Sequence, residues 1–134
     1  MRPCFVLDSY ALLAFLRGEP SGSMVAAHLQ RANESSSPLL MTEVNYAEVN
    51  YMILRKDGAA AWALVKRELR ALPINFYPAD RSLAQWAADF KSRFRLSLAD
   101  AFAAALAKER GAKLITGAPE FKPLEAEIPI EWIK

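Results

Sequence analysis

The sequence predicts an α/β fold, a three-layer α/β/α sandwich with a mainly parallel central sheet. Two observations carry that reading. Short apolar runs of strand length alternate with longer stretches of helical spacing, the pattern of parallel strands joined by helical crossovers. The runs are apolar throughout instead of alternating with polar residues, which requires cover on both faces of the sheet. Right-handed crossovers then put helices on either side.

The elements follow in order. "CFVL" at 4–7 is a first strand closed by Asp8, and "YALLAFLRGE" after it has helical spacing. In "SGSMVAAHLQRANE", Ser21 or Ser23 is placed to cap a helix whose inner face holds Val25 and Leu29. "PLLM" at 38–41 is a second buried strand. "TEVNYAEVNYMILRKDG" opens on a capping threonine, carries an early acid and stops at Gly58, which describes a helix. "AAAWALVKRELRAL" follows almost without linker, so these two helices form a hairpin. "INFY" at 74–77 is the third strand, "DRSLAQWAADFKSRF" a helix capped by Asp80, and "SLADAFAAALAKERG" a helix ended by Gly111. "KLIT" is the fourth strand, and "IPIEWI" is an edge strand because Pro129 cannot donate to a ladder.

Composition bounds the function. A chain of 134 residues is expected to form one domain, 1–134, with a single core and no need of disulfides. Cys4 is the one cysteine and His28 the one histidine, so neither a disulfide nor a zinc cluster is available, and a reducing, cytoplasmic setting fits. Asp8 interrupts the apolar start before it resembles a signal sequence, and no stretch reaches transmembrane length. The net charge of +2 is compatible with nucleic acid, but plain solubility explains it as well.

Three acids stand where this architecture brings them together. Asp8 ends the first strand, Glu48 lies on the helix after the second, and Asp100 opens the helix before the fourth. The carboxyl ends of parallel strands share one edge of the sheet, and Asp100 joins them if its helix starts there. Clustered carboxylates repel unless protonated or neutralised by a cation, and an all-oxygen set suits magnesium or manganese. Each acid also has an ordinary structural reading: a turn residue for Asp8, an exposed helix charge for Glu48, a first-turn acid for Asp100. Asp8 resists it best, since a carboxylate enclosed by core sequence needs a partner. Asn45, three positions before Glu48, shares its helix face and is placed to orient that acid or a metal-bound water.

In order and spacing, "FVLDSYALLAFLRGEP", "TEVNYAEVNYMILRKDG" and "LSLADAFAAALAKERGAKLITGAPEF" resemble the signature segments of PIN-domain ribonucleases of the VapC toxin type. The resemblance implies a compact α/β/α fold, RNA cleavage with Mg2+ or Mn2+ held by clustered acids, dimerisation, and inhibition by a small antitoxin protein. Carried over by position, the family's acids fall on Asp8, Glu48 and Asp100, and Ser9 matches the hydroxyl residue that follows the first acid. Its Thr-Gly-Asp-Pro turn falls on Thr116, Gly117, Ala118 and Pro119. The fourth acid is therefore replaced by a methyl group, Ala118, with Glu120 close by in sequence. Two readings stay open: a metal-dependent ribonuclease toxin acting through metal-activated water, and a PIN-fold module that binds RNA or an antitoxin without cutting. Lys91, Arg93 and Arg95 are candidate RNA-backbone contacts with Phe94 for stacking, or else a solvated helix end. "YALLAFL" and "AAAWALV" hold more apolar residues than one helix face needs, which marks an expected contact surface.

Overall fold

The computed structural model describes residues 4–134, so residues 1–3 of the expected domain lie outside the described residues. Five strands, β1 (Phe5–Leu7), β2 (Leu39–Thr42), β3 (Ile74–Tyr77), β4 (Lys113–Thr116) and β5 (Ile130–Trp132), form one sheet in the order β3-β2-β1-β4-β5. Every pairing is parallel, where the sequence suggested a mainly parallel sheet. Six helices join them: α1 (Ser9–Leu16), α2 (Gly22–Ser35), α3 (Glu43–Asp57), α4 (Ala59–Ala71), α5 (Arg81–Arg93) and α6 (Leu98–Arg110). The turn after β4 is a 3₁₀ segment, Pro119–Leu124, which buries Phe121 and Leu124 completely.

Strand periodicity divides the core in two. Val6, Leu40 and Leu114 point to the face covered by α5, α6 and the 3₁₀ segment. Leu7, Leu39, Met41 and Ile115 point to the opposite face, covered by α1, α2, α3 and α4. Adjacent residues of one strand thus serve different cores, as the two-residue repeat of a strand demands, and this is why the strands read as unbroken apolar runs. Ala103, Ala104 and Ala107 are at most 1 % exposed on α6, so this helix packs closely on the sheet.

Local signals set most boundaries. Thr42 and Asp80 accept hydrogen bonds from the amides of Asn45 and Leu83, as expected of helix caps, and Ser97 does the same for Asp100. Gly58 ends α3 at φ 92°, a conformation that L side chains resist. The expected serine cap of α2 is not made. Ser21 has helical backbone angles and no capping hydrogen bond, and the Ser23 hydroxyl donates to Pro20 O instead.

The apolar surplus on the first helix is also resolved. Ala11, Leu12, Leu13 and Ala14 are buried, so α1 spends its side chains on the core and leaves only Tyr10 exposed, at 44 %. On α4 the surplus does reach solvent at Leu64, and the neighbouring α3 adds exposed Tyr51 and Leu54.

A candidate metal centre at the carboxyl edge of the sheet

The strand order places a switch point between β1 and β4: the chain moves outward from β1 to β2 and β3, then returns to β4 on the other side. Crevices at such points, beyond the carboxyl ends of the strands, are where α/β folds hold ligands. Asp8 follows β1 here and is 0 % exposed. One carboxyl oxygen, Oδ1, accepts from the amide of Ala11 at 2.8 Å and so caps α1. The other, Oδ2, accepts from the hydroxyl of Thr116 at the end of β4. Thr116 Oγ1 in turn accepts from Ala118 N at 3.0 Å, which fixes the turn.

A buried hydrogen-bond brace joins the segments that carry the other acids. Asn45, in the first turn of α3, donates from Nδ2 to Ser9 Oγ at 3.0 Å and to Ala99 O at 3.2 Å, while its Oδ1 accepts from Thr42 Oγ1. Ser9 adjoins Asp8, Ala99 adjoins Asp100, and Glu48 lies one turn beyond Asn45. The helix bearing Asp100 therefore begins at the same edge as Asp8, the condition on which the sequence argument depended. Asn45 makes no hydrogen bond to Glu48 among the described residues; its amide is occupied in holding three segments together.

The electrostatics show the same convergence. Burial pushes the Asp8 carboxyl up to about 7, against the lowering effect of its bonds from Thr116 and Ala11, and the charges of Asp100 and Glu48 push the same way. Burial likewise raises Asp100 to about 6, helped by Glu48 and then Glu120 and opposed by Ser97. Glu120, exposed just beyond Pro119, is thus within electrostatic reach of Asp100, although sequence position gave no assurance of it. Among the described residues no three acid, cysteine or histidine side chains are already drawn to chelating distance. The donor chemistry nonetheless fits a hard divalent cation: oxygen ligands alone, unfavourable as neighbouring anions, at the mouth of a fixed crevice.

A PIN domain family model matches residues 5–125. The chain belongs to the PIN domain family. Its fold is similar to that of DNA-bound VapBC from Salmonella typhimurium, at 15% identity and TM-score 0.71 over 97% of this chain and 98% of that one. VapBC2 from Rickettsia felis, bound to a DNA fragment from its promoter, gives 13% identity and TM-score 0.75 over 98% and 99%. The Mycobacterium tuberculosis toxin VapC20, described as cleaving the sarcin-ricin loop, gives 14% and 0.68 over 90% and 94%. No curated protein matches by sequence. The PIN-like fold expected from the sequence is thereby borne out.

Other expected residues of this PIN domain fall elsewhere. Arg93, a candidate for phosphate contacts, is paired with Asp89 at 2.8 Å and Glu127 at 2.7 Å, and its guanidinium lies over Phe90 and Phe94. That neutralises Arg93 and also occupies Phe94. Lys91 donates to Leu96 O at 2.8 Å and pins the loop before α6. Arg95 is exposed in that loop. His28 is 4 % exposed, packed on Phe5 and hydrogen-bonded to Glu131 and Arg31, which is a packing role. Ala118 is 7 % exposed within the core cluster of the 3₁₀ segment.

Proposed function

We propose that this chain is a metal-dependent endoribonuclease, the toxin of a VapBC-type toxin–antitoxin pair, folded as one unit over 1–134 and acting in the cytoplasm. The observation that carries the proposal is the brace through Asn45, which brings the segments of Asp8, Glu48 and Asp100 to one crevice beside Thr116. Those three acids would hold Mg2+ or Mn2+. When bound, such an ion polarises a phosphodiester and lowers the pKa of water for in-line attack. The chain's own residues do the rest. Thr116 holds Asp8 by one oxygen, Ala11 N holds the other, and Ser9 and Asn45 keep the acid-bearing segments in register. An antitoxin partner is supported by the similarity to VapBC complexes, and the exposed apolar residues Tyr51, Leu54 and Leu64 are a surface on which an antitoxin or a second copy in a homodimer would close. Among the described residues no helix is long and apolar enough to cross a membrane.

Ala118 favours a second reading. A buried methyl at the family's fourth-acid position suits a PIN module that binds RNA or an antitoxin without cutting. Incubation of the purified protein with structured RNA and manganese separates the two. Cleavage that is abolished by chelator and reduced at least a hundredfold in Asp8→Asn is expected; intact RNA across a full manganese titration supports the non-cutting module. A manganese-induced thermal shift that survives Asp8→Asn unchanged would place the ion elsewhere.

A further inference from the structure

Beside the acids sits an aromatic ring that neither the fold nor the metal centre uses. Tyr10, two residues after Asp8, is 44 % exposed while the α1 residues around it are buried. It does not hang free in solvent. Its ring rests on the backbone of Gly117, where a methyl group would come within 2.4 Å of ring carbon Cε1 and 3.0 Å of Ile133 O. Only glycine leaves that notch open. Gly117 itself lies between Thr116, which holds Asp8, and Ala118, so the ring is seated on the turn that borders the crevice. At Asp100 a second apolar side chain is out of place: Leu98, 55 % exposed, opens α6 two positions earlier.

We infer that Tyr10 is a stacking platform for a base of single-stranded RNA next to the scissile phosphate. The inference rests on the ribonuclease reading above. A phosphate drawn to a cation beside Asp8 would leave its neighbouring bases close to the Thr116–Ala118 turn on which this ring is seated. Recognition of unpaired RNA characteristically uses aromatic side chains, since every base presents a π face. Charge gives little alternative at this edge. Glu48, Asp100 and Glu120 make it acidic, and of the nearby basic residues Lys91 and Arg93 are committed to contacts within the protein. Beside the exposed Arg95, the half-exposed Tyr10 ring is an apolar contact that this acidic rim still offers to nucleic acid. An exposed tyrosine with only a solubility role would have no need of the notch at Gly117.

The test uses the full chain and a short single-stranded RNA with 2-aminopurine at successive positions, with calcium in place of manganese to slow cleavage. Quenching of the probe at one position next to the cleavage site is expected, retained in Tyr10→Phe and Tyr10→Trp and lost in Tyr10→Leu. Affinity should fall roughly tenfold in Tyr10→Leu, and the fall should vanish on an oligonucleotide abasic at that position. Manganese binding, followed by electron paramagnetic resonance, should be the same in all variants, which separates a lost stack from a damaged fold. Cleavage by the natural chain with equal quenching and affinity in Tyr10→Leu overturns the platform and leaves the nuclease standing. No binding or cleavage of RNA by the natural chain overturns both. Unchanged RNA binding with loss of self-association in Tyr10→Leu assigns the ring to an interface between copies and overturns the platform.

Discussion

Ala118 shows how much can hang on one side chain. Its amide is fixed by Thr116 Oγ1 and its methyl is buried with Phe121 and Leu124, so a side chain added at this position would stand on a turn that is already fixed. An aspartate there would have to share a largely desolvated edge with Asp8 and Asp100, two carboxyls already raised by burial. Ala118→Asp should therefore destabilise the metal-free protein at neutral pH by about 1–3 kcal/mol. With manganese the sign reverses: a fourth charge should tighten binding, raise RNA cleavage and increase growth inhibition on expression without an antitoxin. The gains should disappear in an Asp100→Asn background, because the new acid acts only through a shared ion. Equal manganese affinity in the two chains, by calorimetry, would show that three acids suffice, with Glu120 the nearest available substitute.

At the scale of the elements, what holds the candidate site is the junction of α1, α3 and α6, and it was only half legible in the sequence. Strand positions and the caps Thr42 and Asp80 could be read because they depend on neighbours within three or four residues. The acids could be read because the carboxyl ends of parallel strands must share an edge. The partners of Asn45 could not: Ser9 and Ala99 are 36 and 54 residues away, and no local pattern announces them. For the same reason Arg93 looked available until Glu127, 34 residues on, proved to be its partner. Long-range hydrogen bonds leave no period. Asn45→Ala tests the junction directly. It removes the Nδ2 donor from Ser9 Oγ and Ala99 O and the Oδ1 acceptor from Thr42 Oγ1, leaving the two hydroxyls their bonds to the Asn45 backbone, and should cost roughly 1–3 kcal/mol in urea denaturation. Manganese affinity should fall as well, although no ligand is removed. An unchanged affinity would mean that the acids are positioned without this brace.

For the molecule as a whole, the buried Asp8 is a stability cost that a cation at this edge would offset. Asp8 keeps its proton up to about pH 7 in the folded protein, whereas the unfolded chain releases it near the ordinary aspartate value of 3.8. Between those values the unfolded state binds fewer protons, so stability is lost as pH rises and levels off above about 7. Asp100, raised to about 6, adds in the same direction. At 1.36 kcal/mol per unit, the Asp8 shift alone corresponds to something on the order of 4 kcal/mol. His28 works the other way, because burial and the nearby Arg31 lower its pKa and stability from this group rises toward pH 6.5. The informative comparison therefore runs from pH 6 to 8 and is made against Asp8→Asn, which keeps His28 and can still accept from Ala11 N. In chelator the natural chain should melt several degrees lower at pH 8 than at pH 6, and Asp8→Asn should show a much smaller slope. Manganese held at this edge would bind the ionised folded form and stabilise it by mass action, so saturating metal should reverse the slope in the natural chain and leave the variant unmoved. A natural chain whose melting temperature is the same at both pH values, with and without manganese, would mean that Asp8 ionises freely and that no cation is held at this edge.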